Sequence, residues 1–124
     1  MLIEILKDFQ KAIEKLEKVL KLKKTEINRD SAIKRFELCF DLAWKSIKEL
    51  AKKEGIECYS PRECLRTGFQ LKIIDSNKKW FEILEDRNLT VHLYKEEMAD
   101  RIYLKLPVYL EILKDLLNKI KQKE

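Results

Sequence analysis

The sequence predicts an all-α protein, an antiparallel four-helix bundle with one extra short helix and a kinked last helix. Three observations carry this. Only two glycines and two prolines occur in 124 residues, too few for the turns of a sheet protein. Hydrophobic residues make up 45% and charged residues 40%, the balance of long amphipathic helices. Apolar residues also recur every three or four positions over most of the chain.

The first helix is expected from Leu2 to about Lys23, with Leu2, Leu6, Phe9, Ile13, Leu16 and Leu20 on one stripe and lysines on the other faces. "KKTEINRDS" reads as a polar connection, with Asp30 or Ser31 as the cap of the next helix. That second helix, over residues 31–55, is the most apolar segment. Ile33, Phe36, Phe40, Ala43, Trp44, Ile47 and Leu50 form its stripe, and Leu38, Cys39 and Leu42 widen it, as for a central helix or one at a dimer interface. Gly55 is placed to end it in the left-handed conformation.

"SPRE" opens a short third helix, Pro61 to about Leu71. Ser60 is its cap, Pro61 its first residue, Glu63 the partner in a capping box, and Gly68 marks a close helix approach. "DSN" at 75–77 caps a fourth helix, on which Trp80, Leu84, Arg87 and Val91 share a face. The last helix starts near Lys95 and runs to the C-terminus, with Pro107 expected to kink or split it. Trp44 and Trp80 read as core residues rather than base-stacking platforms, and Tyr103 and Tyr109 as core or interface. The chain 1–124 is read as one helical domain, long enough for a single core.

Composition narrows the function. No run approaches the roughly 20 apolar residues of a membrane span. "MLIEILKDFQ" interrupts its apolar pattern with Glu4 and Asp8, unlike a signal peptide, so a cytoplasmic location is expected. The net charge of +5 and pI near 9.0 favour polyanions and acidic partners. Lysines outnumber arginines 21 to 6 and are interleaved with Glu, so most coat solvated faces. The three cysteines are odd in number, lack a CxxC pair, and have one histidine for company, so no metal and no cofactor is assigned. Cys39 reads as core; Cys58 and Cys64 flank a turn, close enough in sequence for a disulfide that a reducing compartment would disfavour.

The chemistry concentrates in "EDRNLTVHLY", which holds the single histidine. A guanidinium matches two phosphate oxygens and offsets charge developing on them, while an imidazole can take a proton from a ribose 2′-OH. Arg87 and His92 therefore suit phosphodiester cleavage without a metal. Five positions of regular helix set them about 140° apart. Either the helix distorts before His92, or two copies of the chain assemble the site about a two-fold axis. Arg87 falls on an apolar face and needs an anionic partner, for which Asp86, Glu37 and Asp41 are candidates. The purely structural alternative is an Arg–Asp bridge with His92 capping the helix C-terminus.

"RFELCFDLAWKSIKEL" (35–50), "SPRECLRTGF" (60–69) and "WFEILEDRNLTVHLY" (80–94) resemble, in that order, the nucleotidyltransferase substrate-binding proteins of the HEPN superfamily. These are the HepT-like partners of minimal nucleotidyltransferases, and the resemblance spans roughly residues 30–113. Their R-x4-6-H motif corresponds to Arg87 and His92, and the longer R-x4-H-x-Y form is completed by Tyr94.

The resemblance implies a homodimer with the motif in an inter-protomer cleft and metal-independent endoribonuclease activity toward RNA. It also implies a toxin–antitoxin pairing in which a minimal nucleotidyltransferase silences the RNase by moving AMP from ATP onto the motif tyrosine. Arg87 and His92 are then the catalytic pair, Asn88 and Asp86 supporting residues, and Tyr94 the AMP acceptor. The alternative is a non-catalytic subunit that holds a nucleotide or other substrate for the transferase. Lys95, where a capping Asp, Asn or Ser is expected, departs from a well-capped last helix.

Overall fold

The structure, a computed structural model, describes residues 1–75, 77–92 and 95–124, with the backbone alone at Asn77. It is an all-α bundle of α1 (Leu2–Leu20), α2 (Glu26–Lys53), α3 (Pro61–Gln70), α4 (Asn77–Leu89) and α5 (Glu96–Lys123). A single 3₁₀ turn, Thr90–His92, follows α4. The part of the expected "DSN" cap at Ser76 and the motif tyrosine Tyr94 lie outside the described residues.

Consecutive long helices run antiparallel. Lys114 bonds Glu17 and Lys121 bonds Gln10, so α5 descends as α1 rises. On α2 and α4, Phe40 packs on Trp80 while Asp41 meets Arg87, and Glu37 shares a cleft with Thr90. The helices α2 and α5 are parallel, joined by Arg29 to Asp100 at their start and by stacked Phe36 and Tyr109 rings 5.6 Å apart further on. Helix α2 packs on α1, α3, α4 and α5, the central position its wide stripe implies. Phe9, Leu16, Phe36, Phe40, Ile47, Leu65, Ile83 and Leu113 fill the core. Trp80 is buried as expected; Trp44 is only partly so and lies under Lys45.

Several boundaries differ from expectation for physical reasons. Helix α1 stops at Leu20 rather than Lys23, because beyond the stripe Leu22 stays exposed and nothing is gained by another turn. Helix α2 begins at Glu26, not after Asp30 or Ser31. Thr25 is its cap, with its hydroxyl accepting from the Asn28 N–H at 3.0 Å. Arg29 explains the extra turn: it lies four residues before Ile33 on the buried stripe and is 5% exposed. Its guanidinium donates to Glu96 (2.5 Å), Asp100 (3.2 Å) and Asp30 (2.9 Å), fastening the start of α2 to the start of α5.

Helix α2 closes as predicted. Gly55 (φ +80) donates to Lys52 at 3.1 Å and Ile56 to Ala51 at 2.8 Å, the paired bonds of a left-handed C-terminal cap. Helix α3 ends in the same two bonds, Lys72 to Phe69 and Ile73 to Gly68, each 3.0 Å, but with Lys72 (φ 63) at the left-handed position. Ser60 caps α3, accepting from the Glu63 N–H at 3.2 Å. Glu63 accepts in return from Tyr59 at 3.3 Å rather than from Ser60, so the expected capping box is shifted by one residue. A Cβ on Gly68 would lie 2.8 Å from Ile74 Cδ1 and 3.3 Å from Ile47 Cδ1, the close approach anticipated there.

The thiols differ too. Cys39 is fully buried, and burial pushes its thiol up to about 12. Cys58 and Cys64, expected to be reduced, form a disulfide that ties the loop after α2 to α3. Pro107 does not split α5, which runs unbroken from Glu96 to Lys123. Pro107 itself sits on the exposed side of the helix.

Candidate functional site

The motif lies at the end of the bundle where α4 finishes and α2 and α5 begin. Helix α4 stops at Leu89 because Thr90 takes over its last turn. The Thr90 hydroxyl donates to the Arg87 carbonyl at 2.6 Å and receives Arg87 Nη1 at 3.4 Å. The chain then tightens into the 3₁₀ turn that carries His92 on the surface.

Arg87 is held from two sides. Its Nε and Nη2 donate to the two carboxylate oxygens of Asp41 on α2, at 3.3 and 3.1 Å. This is a bidentate grip on one edge of the guanidinium. Nη1 donates to the Thr90 hydroxyl at 3.4 Å. Three of the five guanidinium N–H groups are thus used, which leaves one on each Nη without a partner among the described residues, and the side chain is 22% exposed. Of the three candidate partners, Asp41 is the one used. Glu37 instead pairs with Lys34 at 3.4 Å.

Asp86 points the other way. It is 6% exposed and accepts from the Tyr109 hydroxyl at 2.5 Å and from Lys105 at 3.1 Å, which locks α4 to α5. Burial, reinforced by Asp86 and then Glu82, holds the Tyr109 hydroxyl far above its ordinary value. Burial pulls Lys105 down, and the bonds to Asp86 and Glu82 more than offset it, so its ammonium is raised. Asn88 is exposed beside Arg87, while Val91, expected on the face of Trp80 and Leu84, is 63% exposed because the helix has already ended.

The helix distorts before His92, but ideal step angles do not set Arg87 and His92 on one face. Two helical steps followed by three 3₁₀ steps leave their directions about 160° apart within one chain, no better than in a regular helix. Next to Thr90 a polar cleft of about 240 Å³ opens between α2 and the start of α5, lined by Arg29, Lys34, Glu37, Lys95 and Glu96. Thr90 and Arg29 were not legible as site residues. The signals were the i, i+3 spacing of Arg87 and Thr90, and an Arg in register with a buried stripe once α2 is started at Glu26.

Comparison with known proteins places this geometry in context. The model of the family described as "nucleotidyltransferase substrate binding protein like" matches residues 4–122. A probable ribonuclease HepT from Haemophilus influenzae is 27% identical over 97 residues, covering 74% of this chain and 66% of that protein, just under two thirds of its length. A crystal structure of a Thermus thermophilus protein superposes with a TM-score of 0.85 at 30% identity, over 90% of this chain and 98% of that one. A Haemophilus influenzae protein, described as revealing the fold of a substrate binding domain of a nucleotidyltransferase, superposes with a TM-score of 0.81 over 94% of this chain and 98% of that one. At 22% identity that likeness speaks for the fold. With the family model matching nearly the whole chain, the protein belongs to the HepT-like, HEPN-type family of nucleotidyltransferase substrate-binding proteins.

Proposed function

We propose that the protein is a metal-independent endoribonuclease that acts as a homodimer and is silenced by a minimal nucleotidyltransferase through AMP transfer to Tyr94. The observation that carries this is Arg87, fixed by Asp41 and Thr90 with one N–H on each Nη unpaired among the described residues, beside the turn bearing His92. An arginine serving only as a surface bridge has no need of a second clamp. Similarity to a probable ribonuclease supports the same chemistry.

In this reaction those two N–H groups of Arg87 grip two oxygens of the scissile phosphate. An imidazole takes the 2′-OH proton and the O2′ attacks phosphorus. The P–O5′ bond breaks, and a second imidazole, entering protonated, delivers a proton to the leaving oxygen. The products are a 2′,3′-cyclic phosphate and a 5′-hydroxyl. The wide angle between Arg87 and His92 within one chain favours a site completed across a two-fold axis, where each copy supplies both side chains. AMP on Tyr94, two residues from His92, would add a bulky anion there and repel RNA.

A second reading is favoured by the family description itself: a non-catalytic subunit that holds substrate for a nucleotidyltransferase, with Arg87 binding a nucleotide phosphate. Cleavage of mixed RNA in EDTA separates the two, using wild type and His92→Ala with intact mass recorded to establish that Tyr94 is unmodified. The RNase predicts cyclic-phosphate ends from wild type alone. Absence of cleavage by the folded, unmodified protein, with nucleotide binding that depends on Arg87, gives the second.

A further inference from the structure

We infer that the solvent face of α3, together with Phe81 of α4, is a second seat for single-stranded RNA, separate from the Arg–His motif. RNA as its ligand rests on the ribonuclease reading above. Arg62 and Arg66 are exposed one turn apart on α3, and both guanidiniums lie over the ring of Phe81, with Cζ 5.0 and 6.0 Å from its centroid. Like charges at this spacing repel one another. No carboxylate among the described residues lies within 4 Å of either, although α3 carries Glu63 and α4 carries Glu85. Glu63 is turned instead to the Tyr59 N–H. The two other clamped arginines, Arg29 and Arg87, are both held by carboxylates.

Two cations thus converge on one aromatic ring with no carboxylate of the described residues in ion-pair contact with either. The ring attracts both guanidiniums by cation–π interaction, and a phosphate group bound between them would relieve their repulsion. Phe69, three residues beyond Arg66, is 47% exposed on the same helix and offers a ring on which a base can stack. Paired arginines beside an open aromatic ring suit a sequence-tolerant, single-stranded polyanion better than an acidic protein face. Phe81 precedes Arg87 by six residues, about 9 Å along α4. A strand whose scissile phosphate sits at Arg87 reaches the seat within a few nucleotides, so the seat gives a grip on flanking RNA.

The test is fluorescence anisotropy with a labelled, fully 2′-O-methylated RNA oligonucleotide, which cannot be cleaved, titrated at several salt concentrations. Losing two phosphate contacts should make the slope of log K against log salt shallower by about 1.4 in Arg62→Ala/Arg66→Ala, at about 0.7 per contact on a single strand. Phe69→Ala should weaken binding at least about fivefold with the slope unchanged. Arg66→Gln alone, with a slope change of about 0.7, replaces the double variant if that fails to fold. An unaltered slope in the arginine variants, or no binding by wild type, overturns the seat. Wild type that binds with the expected slope dependence but does not cleave leaves the seat standing and removes the RNase. Cleavage with an unaltered slope in the arginine variants does the reverse.

Discussion

Replacing Asp86 with Ala tests whether the buried carboxylate, rather than apolar packing alone, fixes α4 in the bundle. In the native protein the Tyr109 hydroxyl, in a residue only 1% exposed, has two acceptors, Asp86 at 2.5 Å and Glu82 at 3.1 Å. A buried hydrogen bond to a charged acceptor contributes about 1.5–3 kcal/mol, and the surviving bond to Glu82 argues for the lower end. Lys105 loses its 3.1 Å contact to Asp86 but is 36% exposed and keeps Glu82 at 3.5 Å, so its loss stays below about 1 kcal/mol. The expected destabilisation is about 2 kcal/mol, or roughly 8 °C in Tm for a chain of this size. Urea unfolding followed by circular dichroism measures it. Tyr109→Phe should cost about 1 kcal/mol, and the double variant clearly less than the sum of the two. An Asp86→Ala loss below about 0.5 kcal/mol, or strict additivity, would refute the role given to this carboxylate.

Three further outcomes are expected. Lys72→Gly should stabilise the protein by up to about 1 kcal/mol in urea unfolding, since a side chain at φ 63 is strained there and glycine is not. Thiol titration without reductant should find no reactive group in the folded protein and one, Cys39, after denaturation, rising to three once the Cys58–Cys64 bond is reduced. The bond from Tyr109 holds Glu82 low, with help from Lys79 and Lys105, and bonds from Lys24 and Arg29 hold Asp100 low. Depressed folded-state values contribute stability that is full above the unfolded values and is lost as pH falls through the folded ones. The urea midpoint should therefore be flat down to about pH 5 and drop below about pH 4.5. Tyr109, raised chiefly by burial, works in the opposite sense: its contribution is full below about pH 10, and its ionisation should lag the exposed tyrosines until the protein unfolds.

Where a residue's local chemistry decided the backbone, the sequence was readable. Gly55 announced a left-handed cap, and "SPRE" a helix start, because only a few residue types serve there. Lys72 performs the same service as Gly55 without the composition that would reveal it. The start of α2 was misjudged since Arg29 looks like linker polarity until Glu96 and Asp100, far along the chain, are seen to receive it. The same distinction divides the candidate site. Arg87 was identifiable as a buried-face arginine in need of an acid, but choosing Asp41 over Glu37 and Asp86 required the packing of α4 on α2. The disulfide escaped for a different reason: an expectation about cellular redox poise stood in for geometry.

The adjacent pair Asp86 and Arg87 has a consequence for how such a chain can change over generations. One residue is tied inward to α5 and the next sideways to α2, so a single inserted or deleted residue between Trp80 and Asp86 would swing both by about 100° and cast off both ties together. Connections such as residues 21–25 can gain or lose length with little effect on the motif. The stretch from Trp80 to Thr90 cannot, and lineages of this protein should tolerate substitutions there far more readily than any shift in its count of residues.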